Sequence, residues 1–279
     1  MAEHTDHGHD GPDGPPKRTA AARVLSLLGA FSRGGGALTL SEISRYADLS
    51  LTTTHRLAKE VLEWGGLELD EKGRYRLSRK ILDLASASTE ALRMRETALP
   101  HLIDLHHRTG LTVILSVRDG MEVVYLDALR SHPNYTGANR IGGRLPLHIT
   151  ATGLVLLAYA EQVVIEDYLG TPLKPYTPHT ITEPGDLLAR LRSVRKDGYA
   201  LAVKTMTMRA GSVAAPVIGA DGTAETAVGM VYRVDQQHPD RLIDHVRLTA
   251  SRISRSLREK DPVPDPRTID FNRRQAGLA

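Results

Sequence analysis

The chain has 279 residues, 41% of them hydrophobic and 25% charged, the composition of a soluble globular protein long enough for two domains. It contains no cysteine, which excludes disulfides, thiolate metal sites and thiol nucleophiles. The net charge is only +3, no apolar run approaches the roughly 18 residues of a membrane span, and the N-terminus lacks the basic-then-apolar order of a secretion signal. The expectation is a cytoplasmic protein with no membrane contact.

Residues Met1 to Pro16 are mostly Gly, Pro, His and Asp with little to bury, and read as a disordered tail. His4, His7 and His9 lie in it and are read as solvated rather than as metal ligands. Arg23 to Phe31 is an amphipathic helix, stopped by Ser32-Arg33-Gly34-Gly35-Gly36. Thr39 stands three residues before Glu42, a capping box that opens a helix through Ile43 and Ala47. Asp48-Leu49-Ser50 is a tight turn with Leu49 as its apolar plug. Ser50 caps the next helix, which runs from Leu51 to Trp64 and stops at Gly65-Gly66. Two short helices joined by a three-residue turn make a helix-turn-helix pattern.

In the second of these helices Thr54, Leu57, Ala58, Val61 and Leu62 repeat at helical spacing and point inward. Thr52, Thr53, His55, Arg56 and Lys59 are left on the outer, N-terminal half, where hydroxyls and cations suit phosphates and base edges. Leu67-Glu68-Leu69 and Arg74-Tyr75-Arg76-Leu77 alternate across the turn Asp70-Glu71-Lys72-Gly73 and form a two-stranded wing. Lys72, Arg74 and Arg76 are placed there to touch the DNA backbone or minor groove. From Lys17 to Lys80 there are twelve Lys and Arg against seven Asp and Glu, so this segment carries +5 and the remainder about −2. The surplus lies in the part that would need it.

From Thr89 to Leu257 helices surround clear strands. Leu111 to Val117 and Met121 to Leu126 form a hairpin about Arg118-Asp119-Gly120, and Ser212 to Ile218 pairs with Ala224 to Tyr232 across Ala220-Asp221-Gly222-Thr223. Gly153 to Ala160 is an apolar helix with Thr150 and Thr152 as candidate caps. Asp186 to Lys196 is a helix ending at Gly198. Arg241 to Leu257 is an amphipathic helix with Arg247, Arg252, Arg255 and Arg258 exposed. Helices before and after an antiparallel sheet give an α+β sandwich of the sensor type rather than a doubly wound sheet. Residues 259–279, Pro-rich and charged, read as a loose tail.

Together these stretches resemble the IclR family of bacterial transcriptional regulators. The resemblance is carried by LTLSEISRYADLS with THRL in the first domain. IGGRLPLHITATG, TPHTIT, LRSVRKDGYA and VAAPVIGADG carry it in the second. It implies a winged helix-turn-helix domain over residues 17–80, a linker helix over 81–88 and a GAF-like effector-binding domain over 89–258. It also implies a homodimer or homotetramer on a roughly palindromic operator. The effector pocket implied lies between the sheet and the helix opening at Ala151, Thr152 and Gly153, whose unpaired amides suit a carboxylate. Carried over residue by residue, its positions are Ala151, Thr152, Ala202, Ala210, Ser212, Gly229 and Val231.

The chain departs from the pattern of relatives that bind small acids. Those have an acidic residue where Ala202 stands, cysteine at Ser212, and serines at Gly229 and Val231. Smaller, less polar walls predict a roomier cavity and an effector larger and less polar than a two- or three-carbon acid. Lys204, Met206, Met208 and Arg209 are unusual, without an assigned side.

Enzyme machinery is missing from the sequence. No GxSxG elbow surrounds Ser212, and Gly34-Gly35-Gly36 leads into no phosphate-binding Lys. Of His101, Asp104, His106 and His107 only Asp104 and His107 share a helix face, and His148 reads as structural. No catalytic residue, metal or cofactor is expected. Two other readings stay open on the residues alone: an enzyme using the C-terminal sandwich, and a winged helix that binds protein.

Overall fold

The computed structural model describes residues 18–34, 36–86, 89–131, 141–219 and 221–258. The expected tails, with His4, His7 and His9, lie outside them. Chain contacts divide the protein into two units, Met1–Ser88 and Thr89–Ala279.

In the first unit α1 (Ala20–Gly34) runs past Phe31 through the expected stop. β1 (Ala37–Leu38) follows, then α2 (Leu40–Ala47) and α3 (Leu51–Trp64). The capping box is complete: Glu42 N–H donates to Thr39 Oγ1 at 3.3 Å, and Thr39 N–H to Glu42 Oε2 at 2.8 Å. Removing such a cap costs about 1 kcal/mol. Asp48 ends α2 in the left-handed region at φ 53°, a conformation tolerated by Asp. Arg18 clasps that corner, donating to Ala47 O at 3.1 Å and to Asp48 Oδ2 at 2.8 Å. Leu27, Ile43, Leu57 and Val61 close a core with Leu38 and Leu67.

β2 (Leu67–Leu69) and β3 (Tyr75–Leu77) pair as expected, but the wing has a third strand, because β1 pairs with β3. Two residues after a glycine run carry too little alternation for a sequence to announce a strand. α4 spans Arg79–Ser86, two residues ahead of the expected linker helix at its start. Lys80 fastens it, donating to Trp64 O at 2.7 Å with its ammonium 4.6 Å from the Trp64 ring centre.

The second unit is a six-stranded antiparallel sheet between helical layers. Its strands are β4 (Thr112–Asp119), β5 (Glu122–Leu129), β6 (Arg144–Pro146), β7 (Ala200–Val203), β8 (Ala210–Val217) and β9 (Thr226–Arg233). The spatial order is β6-β5-β4-β9-β8-β7. α5 (Thr89–Thr109) and α9 (Asp240–Arg258) cover one face, where Leu102, Val113, Met230 and Val246 meet. A 3-10 turn (Leu147–Ile149), α6 (Ala151–Ala158), α7 (Gln162–Leu169) and α8 (Pro184–Asp197) cover the other.

α6 is buried on every side, as its unbroken apolar run requires. It enters its layer through Gly153, where a Cβ would collide with the backbone carbonyl of Leu147. Only Thr150 caps it, accepting from Gly153 N–H at 2.9 Å; Thr152, the other candidate, lies inside the helix.

A bulge in the β4–β5 ladder sets Ser116 opposite Tyr125 and Leu115 opposite Asp127. The extra residue turns Tyr125 and Asp127 to opposite faces although they are two apart. Tyr125 joins the α6 side, and buried Asp127 meets Arg95 of α5 at 2.8 Å.

Candidate nucleic-acid interface and ligand cavity

The outer half of α3 is solvent-facing as its periodicity demands. Thr52, His55, Arg56 and Lys59 are exposed, while Thr54, Leu57, Ala58 and Val61 are buried and Leu62 is half-buried. Thr53 is half-buried and drawn into the cap: its N–H donates to Ser50 Oγ at 3.3 Å, and its hydroxyl accepts from Ser50 Oγ at 2.9 Å.

The cations here are already paired. Arg56 meets Glu60 at 2.5 Å and Lys59 meets Glu63 at 3.8 Å, both one turn along the helix. Exposed pairs of this kind are worth at most about 1 kcal/mol and exchange readily for phosphate. The spacing of four was visible in the sequence, so Glu60 and Glu63 could have been read as competitors of DNA for these cations.

On the wing, Arg74 is a structural cation first. The Asp70 carboxylate accepts from Lys72 N–H and Arg74 N–H, each at 2.9 Å, and from Arg74 Nε at 2.9 Å, which locks the turn. These bonds hold its carboxyl below the usual carboxylate range. Arg76 pairs across the ladder with Glu68 at 3.8 Å. Lys72 stands exposed in the turn.

Between the sheet and the 3-10 turn–α6 corner lies a cavity of about 220 Å³. Thr152, Ala202, Ala210, Ser212, Gly229 and Val231 border it together, while Ala151 stands behind them. The Ala151 amide donates to Ser212 Oγ at 3.2 Å. Of the three helix-terminal amides expected to be open, those of Ala151 and Gly153 thus already have side-chain acceptors. Gly229 also does more than widen the space. A Cβ there would stand 2.7 Å from Thr152 Cγ2 and 3.2 Å from Val213 O, so the missing side chain makes room for the threonine methyl.

Much of the wall was not anticipated. Ile114, Tyr125, Ile149, Thr205 and Met230 border the cavity, and so do Met206 and Arg209 of the β7–β8 loop. Alternation along β5 would have turned Tyr125 inward with Val123; the loop gives no such periodic signal. That loop bends at Lys204, φ 60°, and is fastened from the TPHT segment. Thr177 Oγ1 donates to Lys204 O at 2.5 Å, and Thr180 Oγ1 to Thr205 O at 2.7 Å. Met208 is 49% exposed and takes no part in the wall.

In the second unit His101, His106 and His148 have structural partners. His101 Nε2 lies 3.1 Å from Ser256 Oγ, and burial with the nearby Arg252 pushes its pKa down. His106 Nδ1 donates to Leu111 O at 2.7 Å. Asp104 pairs with Arg108 at 3.6 Å and Arg252 at 3.4 Å rather than with His107, since guanidinium groups reach it from its own helix and from α9. His148 is buried, with Nδ1 2.8 Å from the Tyr168 hydroxyl and Nε2 3.1 Å from Lys174 O. Among the described residues no group of three His, Asp or Glu could hold a metal, and no helix is long and apolar enough to cross a membrane.

The IclR helix-turn-helix domain matches residues 20–71, and the bacterial transcriptional regulator IclR C-terminal domain matches residues 86–255. The regulator XynR of Escherichia coli is 29% identical over 240 residues, 84% of this chain and 95% of that one. The p-hydroxybenzoate hydroxylase transcriptional activator of Acinetobacter baylyi is 31% identical over 237 residues, 81% of this chain and 85% of that one. The crystal structure of an IclR homologue from Microbacterium hydrocarbonoxydans, complexed with 4-hydroxybenzoate, superposes with a TM-score of 0.80. Its identity is 32%, over 86% of this chain and 99% of that one. Regulators rather than enzymes thus match over most of the chain, and a helix-turn-helix with a solvent-facing cationic side is joined to a walled cavity. The protein belongs to the IclR family of DNA-binding transcriptional regulators, with an effector-binding C-terminal domain.

Proposed function

We propose that operator binding by this regulator is set by a single-ring aromatic acid held in the C-terminal cavity. The observation that carries this reading is a partly open, largely apolar space of about 220 Å³ beside helix-terminal amides that are already capped. An apolar cavity of about 150 Å³ accepts a benzene ring, so substituents fit as well. A two- or three-carbon acid would leave most of the apolar wall unfilled and find two of those amides occupied. The complex of the M. hydrocarbonoxydans homologue supports the same chemistry.

On the DNA side, Arg56 with Thr52, Thr53 and His55 reads base edges in the major groove. Lys59 and Lys72 neutralise phosphates, assisted by Arg74 and Arg76 once these leave their carboxylates. Two or four copies on a near-palindromic operator would present these helices to successive major grooves. The effector shifts their placement through the segment around residues 79–88, a coupling of typically 1–3 kcal/mol.

Isothermal titration tests the effector class. Binding of 4-hydroxybenzoate or benzoate, with weaker or no binding of pyruvate and glyoxylate, is expected; tight binding of the small acids alone would overturn it. Binding to promoter DNA that weakens steeply with salt is expected of phosphate contacts and not of a protein-binding winged helix.

A further inference from the structure

Tyr125 is 3% exposed, borders the cavity, and has no side-chain hydrogen bond among the described residues. Its hydroxyl is pushed up from its ordinary value by burial alone, so it stays protonated and able to donate. Its oxygen keeps some accessible surface, so a ligand atom placed opposite it can accept that proton in place of water. Arg209 borders the same cavity from the exposed β7–β8 loop, with no ion pair among the described residues. The carboxylate nearest to competing for it, Asp235, is held by Arg233 at 3.0 and 2.6 Å.

The sheet register sets the two groups at opposite corners. Tyr125 lies opposite Ser116, which lies opposite Ala227, whereas Arg209 precedes Ala210, which lies opposite Arg233. Six residues of β9 separate these positions along the strands, and β4 and β9 lie between the strands that carry them, so the two residues border the cavity from different sides. An exposed cation without an ion pair among the described residues thus borders the cavity, while the amides of Ala151 and Gly153 at the α6 terminus are taken by Ser212 and Thr150.

We infer that the cavity holds its effector at two ends, the Tyr125 hydroxyl donating to a ligand hydroxyl at the inner end and the Arg209 guanidinium binding the carboxylate at the mouth. This rests on the aromatic-acid reading and selects para-hydroxylated acids within that class.

Isothermal titration of the full-length protein with 4-hydroxybenzoate, benzoate and 4-hydroxybenzamide tests it. Tyr125→Phe is expected to weaken 4-hydroxybenzoate about tenfold and leave benzoate within about twofold; the retained benzoate affinity also reports an intact cavity. Arg209→Gln is expected to weaken both acids about tenfold and spare the amide. If the wild type binds 4-hydroxybenzoate but Tyr125→Phe weakens both acids alike, or Arg209→Gln changes neither, the two-ended grip is wrong while the aromatic-acid reading stands. If the wild type binds none of the three probes, that reading falls and takes the grip with it.

Discussion

The face assigned to DNA comes from one continuous stretch, Thr52 to Arg76, whereas the cavity wall is assembled from five strands, the 3-10 turn–α6 corner and the β7–β8 loop, between Ile114 and Val231. On α3 the side chains proposed to meet DNA are mostly solvent-facing and the residues between them make the core, so the proposed chemistry and the stability are carried by different positions. In the cavity the same residues do both: Gly229 admits Thr152, Ser212 caps Ala151, and Thr205 donates to Ile149 O at 2.7 Å while bordering the space. Substitutions at the exposed positions of α3 are thus expected to change affinity alone, and substitutions in the wall to change affinity and stability together.

The largest expected effect lies at the corner that shapes the cavity. Gly153→Ala drives a methyl into the Leu147 carbonyl, a backbone group that cannot swing aside. A loss of about 3 kcal/mol in denaturant unfolding is expected. Gly229→Ser meets a threonine methyl first, and a loss of about 1 kcal/mol with weakened effector binding is the expected contrast. If both substitutions cost the same, backbone contact is not what makes Gly153 special.

On the face, Arg56→Ala is expected to lower affinity for promoter DNA by tens of fold, about 2 kcal/mol, and to flatten discrimination between sequences. Its side chain is 59% exposed and, among the described residues, paired only to exposed Glu60, so the melting temperature is expected to stay near wild type. A gel-shift assay with undiminished affinity would remove Arg56 from the interface; a large loss of thermal stability would dissolve the contrast between face and wall. A smaller effect is expected of Lys72→Ala, weakening all sequences alike and lowering the slope of log affinity against log salt by about one. The Asp70–Arg74 lock keeps the turn itself in place in that variant.

The same contrast governs what could be read before the fold was known. On α3 every clue was local: Ser50 at the start, Gly65 in the left-handed region at the end, apolar residues at helical spacing between. The hairpins and α8 were legible for the same reason. Of α5 only the part from His101 to His107 reads as helical, because Pro100 stands in its middle. The cavity needed knowledge of pairing, because Tyr125 and Ser212 are brought together only by β4 and β9 lying between their strands. Resemblance supplied six of the bordering positions without their physics, and so missed that Ser212 occupies the Ala151 amide and that Gly229 serves Thr152.

The smallest expected effect concerns His148, buried between the Tyr168 hydroxyl and Lys174 O behind the cavity corner. Nε2 faces a carbonyl and so carries the proton, which leaves Nδ1 to accept from Tyr168, and both ring nitrogens of the neutral imidazole are satisfied. Burial lowers its pKa below the usual 6.5. As pH falls through 6.5 the unfolded chain takes up a proton that the folded one refuses, so stability is lost in that window and the loss ends once pH drops below the folded value. His148→Gln removes the titration along with the bonds. It is expected to melt lower than wild type at about pH 8, with the gap narrowing toward about pH 5.5. His101, whose pKa is lowered too, keeps part of the slope in the variant. Melting curves across that range separate the cases: a gap that stays constant would mean the imidazole titrates alike in both states and is not sealed behind the cavity wall.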